Sequence, residues 1–333
     1  MRLLASIAAT CLLAGGLVLS AQSPSGYGPG ARVLLDAHNA YPYDGKYEDR
    51  VDRALATGVP VAIEQDLIWR ADGRGGGDSV VGHDTDKVAD APTFEQYFFT
   101  RLTPVMEKAL AENHRDRWPL VVLNLDLKTN EPAHHAAIAA VLERHAAWLT
   151  SAPRTSTPDR VEPLTLGPML VLTGSHPSQQ ADFHDALKVG ARLRLFGAYE
   201  APPQPGDTAQ ARAVALAGAP VDALLPHRAT NYRRWANFPW HVVEKGGQPN
   251  AGAWDAADQT RLEALVGRAH GQGLWVRFYT LNGHPASDTE TQGWFKGYNF
   301  GSVEAAQARW RAARAAKVDF VATDQYEAFH QTR

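Results

Sequence analysis

His38, His83, Glu64 and Asp66 stand in three short phrases early in the chain: Ala37-His38-Asn39-Ala40-Tyr41, Ile63-Glu64-Gln65-Asp66-Leu67 and Val81-Gly82-His83-Asp84. Each phrase ends a run of strand-forming residues. Histidine titrates near neutrality, so a pair of them can take a proton from one atom and give one to another. Glu64, Asp66 and the Asn39 amide oxygen are hard ligands of the kind that hold a divalent cation. A base, an acid and concentrated positive charge are the requirements for cleaving a phosphodiester. Asp84 follows His83 directly and either orients its ring or serves as a turn residue.

Later phrases add to this set. Strand alternation points Glu64 and Asp66 to one face and Gln65 to the other, and it pairs Asp126 with Lys128 in the same way. Three carboxylates brought together in an apolar setting raise one another's pKa unless a cation relieves them. Oxygen ligands alone suit Ca²⁺ or Mg²⁺ better than zinc, with Ca²⁺ slightly preferred for its tolerance of irregular geometry. Lys128, Arg277 and Tyr279 are the candidate substrate-binding residues; Arg277 either meets phosphate or pairs with a carboxylate. Asp324, at the end of Ala322-Thr323-Asp324, reads as a helix cap for residues 325–329.

These residues need a scaffold that gathers strand ends. Apolar, β-branched runs at 33–36, 61–69, 120–127, 169–173, 192–198, 222–225, 274–281 and 319–322 alternate with amphipathic segments at 48–56, 93–112, 132–149, 180–189, 255–271 and 302–317. That alternation predicts parallel strands joined by crossover helices, and eight of them favour a closed (β/α)₈ TIM barrel of the α/β class. Such a barrel places its site at the C-terminal strand ends, where all the phrases above fall. The Gly73–Gly77 run predicts a hairpin leading back to Val80. Two stretches read as loops, 153–163 and 283–300; the second carries Trp294, Phe295, Tyr298 and Phe300, which either wall a substrate or cover the barrel mouth. Residues 227–241, basic and aromatic, read as a solvated loop or a phosphate-facing patch.

The chain has 333 residues, 44% hydrophobic and 21% charged, enough for one large core. Residues 1–21 combine a basic start, an apolar run and small residues, predicting a cleaved secretory leader and a secreted or periplasmic barrel spanning 22–333. The single cysteine, Cys11, lies in that leader, which excludes thiolate zinc and cysteine nucleophiles from the mature protein. The formal charge is −3 overall, and loss of Arg2 with the leader makes the mature chain one unit more negative, so nucleic acid is not an expected partner.

At these residues the chain resembles the phospholipase C-like phosphodiesterase superfamily, which unites phosphoinositide-specific phospholipases C and glycerophosphodiester phosphodiesterases on a TIM barrel. The phrase His38-Asn39-Ala40-Tyr41 is similar to the phospholipase C pattern of a catalytic His beside a calcium-binding Asn. Glu64-Gln65-Asp66 and Gly82-His83-Asp84 resemble the shared metal pair and second catalytic His, while Asp126-Leu127-Lys128, residues 276–280 and Thr323-Asp324 resemble the glycerophosphodiesterase side. Asn39 departs from the Arg of that side, and Asp126 from its Glu. The resemblance implies His38 and His83 as catalytic residues and Asn39, Glu64, Asp66 and Asp126 as ligands of Ca²⁺ or Mg²⁺. The expected substrate is a small-molecule or lipid-headgroup phosphodiester, met with transient membrane-surface contact and no obligate protein partner. The rival readings are a non-catalytic barrel that binds phosphate esters or glycans, and a glycoside hydrolase using two of the acids.

Overall fold

A computed structural model describes residues 27–43 and 46–332. The expected leader, with Cys11, lies outside the described residues. Eight parallel strands form the centre: β1 (Leu34–Ala37), β2 (Val61–Ala71), β4 (Val121–Leu127), β5 (Met169–Thr173), β6 (Gly197–Glu200), β7 (Arg233–Pro239), β8 (Trp275–Tyr279) and β9 (Phe320–Thr323). Each pairs in parallel with its chain neighbours, and β9 returns to β1 with Leu34 opposite Phe320 and Ala37 opposite Thr323. The seam between β5 and β6 closes through a parallel bridge of Leu172 with Phe196, where Thr173 N–H donates to Phe196 O at 2.9 Å and Ala198 N–H to Gly174 O at 3.1 Å. The chain is therefore a TIM barrel, as its strand and helix alternation predicts.

The helices on the outside follow the sequence periods closely. Helix α1 covers Arg50–Ala56, α2 Thr100–Glu112, α3 Pro132–Arg144, α7 Ala256–Gly271 and α9 Val303–Ala315, with shorter α4 (Pro177–Gln180), α5 (Ala209–Gly218) and α6 (Val221–Leu224) between. Their ends are set by side chains: Asp255 and Asp258 form a reciprocal capping box on α7, and Ser302 Oγ accepts from Ala305 N–H on α9. Among the described residues, no helix is long and apolar enough to cross a membrane.

Three expectations are corrected here. Residues 222–225 are not a strand, because Val221–Leu224 form α6 after Pro220, whose ring suits the start of a helix. The strand in that place is β7, inside the basic aromatic stretch expected to be a loop or phosphate patch. Its arginines are absorbed by backbone carbonyls: Arg233 donates to Ala198 O and to Ser175 O (3.2 Å), and Arg234, 7% exposed, to Glu162 O (2.8 Å) and Asn231 O (3.1 Å). The 192–198 run also splits. Arg192–Leu193 pairs antiparallel with Ala152–Pro153, and the barrel strand begins only at Gly197, whose lack of a side chain accommodates the Tyr232 ring against it.

Strand β2 runs past the barrel rim and folds back as β3 (Gly77–Val81), with Leu67 opposite Val81 and Ala71 opposite Gly77. This is the ribbon expected from the glycine run, and it carries His83. His134 of α3 fastens it: Nε2 lies 2.9 Å from Ser79 Oγ on β3, and Nδ1 lies 2.9 Å from Thr129 Oγ1 and 3.1 Å from Thr129 O. Thr129 Oγ1 in turn accepts from Trp69 N–H at 2.8 Å. Burial pushes His134 down to about 4, so the ring is neutral in the folded protein. The unfolded ring, with a pKa of about 6.5, binds a proton that the folded ring refuses, so this contribution is complete above about pH 6.5 and is lost as pH falls to about 4. Full expression amounts to about 3 kcal/mol. Urea denaturation at pH 7.5 and 4.5 should show a steeper loss in the wild type than in His134→Gln; equal losses would remove His134 as the cause.

Candidate functional site

A cavity of about 860 Å³ opens at the C-terminal end of the barrel, and His38, Asn39, Glu64, Asp66, His83, Asp126, Lys128, Arg277 and Tyr279 all line it. The structure thus brings every predicted site residue to one place. What each side chain touches there is more specific than the sequence could state.

His38 leaves β1 at the rim and is 8% exposed. Its Nδ1 lies 3.1 Å from Asp324 Oδ1, and its Nε2 lies 3.5 Å from Glu64 Oε2. Burial pushes His38 down, but the carboxylates of Glu64 and Asp324 outweigh it and hold the ring above its ordinary value. For Asp324, burial is likewise overcome, here by His38, Arg50 and the Asn282 amide, and the carboxyl is held far below the usual range. An ionised Asp324 places a proton on Nδ1 and leaves Nε2 toward the cavity. Asp324 is therefore not the helix cap expected for residues 325–329. The helix after it, α10 (Tyr326–Gln331), follows Gln325, and Asp324 faces His38 instead.

The turn after His38 is held from several sides. Asn39 adopts φ 54°, a left-handed conformation that asparagine tolerates better than most residues. Its N–H donates to Glu64 Oε2 at 3.2 Å, and its carbonyl accepts from Arg50 Nη1 at 2.7 Å. Arg50, 2% exposed at the start of α1, also donates to Asp324 Oδ1 at 3.2 Å, and its guanidinium lies 4.7 Å from the Tyr47 ring centre and 4.9 Å from that of Trp294. Trp294 belongs to the 283–300 stretch, expected as loop, in which residues Ala286–Gln292 form helix α8. Trp294, Phe295 and Tyr298 of that stretch thus line the cavity at its mouth, Phe295 with 66% of its surface exposed, whereas Phe300 packs edge to face on Trp240.

The acids lie on neighbouring strands. Asp66 of β2 stands opposite Asp126 of β4, and oxygens of Glu64, Asp66 and Asp126 come within 4.8 Å of one another. Burial, then Asp126 and Glu64, raise Asp66 to about 7, against the opposing pull of Lys128. Its Oδ1 is a buried atom without a hydrogen bond among the described residues, and Oδ2 accepts from Tyr41 Oη at 2.9 Å. The same hydroxyl lies 2.8 Å from Asn39 Oδ1, so Asn39 reaches the acid cluster through Tyr41. Lys128 Nζ sits 2.9 Å from Asp66 Oδ2 and 2.7 Å from Asp126 Oδ2. One ammonium shared by Asp66 and Asp126, an orphaned Asp66 oxygen and oxygen donors only mark this cluster. These residues fit a divalent cation; the ion's identity does not follow from them.

Arg277 takes the second of its two expected roles. It is 2% exposed, pairs with Asp36, and donates to Glu64 Oε1 at 2.9 Å and Asn237 Oδ1 at 3.1 Å. Burial opposes ionisation of Glu64, but Arg277 and His38 prevail and keep it below its ordinary value; Asp36, deeper, is the acid pushed up. Tyr279 meets Tyr298 edge to face at 6.3 Å, and Tyr298 meets His38 in the same way at 5.8 Å. His83 stands apart on the ribbon, largely exposed, with Nδ1 2.7 Å from Asp84 Oδ1. Asp84 thus orients a ring, and Tyr43 Oη donates to its other oxygen at 2.7 Å.

Sequence reasoning missed Arg50 and Asn282 as members of this site; it quoted Tyr41 and Asp324 within their phrases without giving Tyr41 a role or Asp324 its histidine. Only Tyr41 carried a local signal, by standing two residues after Asn39.

No known protein family matches the sequence, and no curated protein matches it. Among solved structures, a glycerophosphoryl diester phosphodiesterase from Parabacteroides distasonis aligns over 92% of this chain and 88% of its own, with 12% identity and a TM-score of 0.43. A Plasmodium falciparum HPPK-DHPS triple mutant aligns over 90% of this chain and 46% of its own, with 7% identity and a TM-score of 0.44. Likeness this distant carries no function across, and the chemistry rests on the residues above.

Proposed function

We propose that the protein is a secreted phosphodiesterase, dependent on Ca²⁺ or Mg²⁺, that hydrolyses a phospholipid-derived diester such as a glycerophosphodiester or a phosphoinositide-like headgroup. The observation that carries this reading is the His38–Asp324 pair facing the Glu64, Asp66 and Asp126 cluster inside one cavity that His83 also lines. Glu64, Asp66, Asp126 and, through its amide oxygen, Asn39 would hold the cation, which supplies positive charge for the phosphoryl oxygens when bound.

The chain's own residues do the rest. Asp324 fixes the His38 ring with Nε2 toward the substrate, and Asp84 does the same for His83, so one imidazole takes the proton of the attacking oxygen and the other protonates the departing one. Lys128, at the lip of the acid cluster, offers its ammonium to the phosphate. The Trp294, Phe295 and Tyr298 wall keeps bulk water from the buried partner of the pair and offers an apolar rim for brief contact with a membrane surface. Hydrolysis of bis-p-nitrophenyl phosphate, glycerophosphocholine and phosphatidylinositol, each with EDTA and with added Ca²⁺ or Mg²⁺, tests the reading. Cation-dependent release of product from at least one is expected; inertness toward all three would favour a binding protein.

A further inference from the structure

Asn124 is a polar side chain of the cavity that the reading above leaves without work. It lies on β4, opposite Glu64 of β2 on one side and Leu172 of β5 on the other, and is 4% exposed. That remaining surface faces the cavity. Among the described residues its side-chain amide makes no hydrogen bond, whereas the buried amides of Asn282 and Asn231 are bonded. Its amide atoms open onto the cavity, so whatever enters there, water or substrate, is what they bond.

The surroundings narrow what that is. Glu64 across the strand pair and Asp126 two residues along are the residues that would hold the cation and so draw the phosphate, and the uncharged Asn124 between them is left for an uncharged part of the ester. An amide sets a donor beside an acceptor, which a hydroxyl can use together, donating to Oδ1 and accepting from Nδ2. Farther round the cavity stand Trp235, Tyr279 and Tyr298, whose rings suit the carbon face of an alcohol. We propose that Asn124 is a specificity-determining residue that hydrogen-bonds a free hydroxyl on the alcohol portion of the diester. This rests on the phosphodiesterase reading and adds to it a residue that selects hydroxylated esters over those without one.

Three p-nitrophenyl phosphodiesters with the same leaving group and a glyceryl, choline or methyl second ester separate the possibilities, assayed with saturating Ca²⁺ or Mg²⁺. The wild type should favour the glyceryl over the methyl ester in kcat/KM by about ten-fold or more, with the choline ester close to the methyl one. Asn124→Leu, nearly isosteric, and Asn124→Ala should each bring the glyceryl-to-methyl ratio to about one, with melting curves showing that the variants fold. An unchanged ratio in both folded variants, or no glyceryl preference in the wild type, overturns the assignment. Calorimetry in which Asn124→Leu loses cation affinity also overturns it, making Asn124 a metal ligand instead. Failure of the wild type to cleave any of the three overturns the phosphodiesterase reading itself.

Discussion

His38→Ala is expected to lower kcat on any diester the protein cleaves by about a thousand-fold, with KM changed far less, because a positioned acid or base contributes about 10²–10⁴ to such a step. The ring is small, lies at the rim and contributes little to the core, so the variant should fold and melt close to the wild type. Asp324→Asn should lower kcat by about a hundred-fold or more. An amide at that position can donate to Nδ1 and so leave the ring proton on Nε2, the wrong tautomer for a base, and Arg50, only 3.2 Å from Asp324 Oδ1, loses its counter-charge. The two changes act on one unit, so the double variant should be hardly worse than His38→Ala alone. Full activity in a folded His38→Ala protein would sink the acid-base role.

Cation binding should be as plain in calorimetry as in activity. The protein is expected to bind one Ca²⁺ or Mg²⁺ with release of protons, since Asp66, raised to about 7 by burial and by Asp126, is partly protonated at neutral pH. Affinity should therefore rise with pH up to about 7 and level off above. Asp66→Asn should weaken binding by about a hundred-fold or more. Stability follows the same sign. The folded carboxyl holds a proton that the unfolded one has lost above about pH 4, so without cation the protein loses stability as pH rises through about 7, by up to about 4 kcal/mol. Cation at a hundred times its Kd should restore about 2.7 kcal/mol, visible as a higher Tm. No heat and no change in melting at millimolar Ca²⁺ and Mg²⁺ would defeat the metal assignment.

The parts of this molecule that were legible in its sequence are those whose signal is local. In β2 and β4 the charged residues recur at fixed parity within apolar runs, so Glu64, Asp66 and Asp126 could be placed on one inner face before any coordinates. Strand β7 hid because Arg233, Arg234 and Asn237 look like surface, and it takes carbonyls such as Ala198 O and Glu162 O for the arginines, and the Arg277 guanidinium for Asn237, to satisfy them inside. The apolar Val221–Leu224 run took its place for the opposite reason. In the site, spacing revealed which residue types gather, but not who pairs with whom. Arg277 could not be assigned between phosphate and carboxylate until Asp36 and Glu64 were seen beside it. Asp324 looked like a cap because its partner stands 286 residues away.

That separation also sets when the protein becomes competent. His38 is among the first barrel residues to be made, and Asp324 follows the final strand, β9, which lies against β1 only once the whole chain is available. A nascent chain that ends before Phe320 holds the acid cluster and both histidines but has no carboxylate at His38 Nδ1 and no floor for the Arg50 clamp. Docking of the last strand is thus at once the closing of the barrel and the setting of a carboxylate against its first histidine.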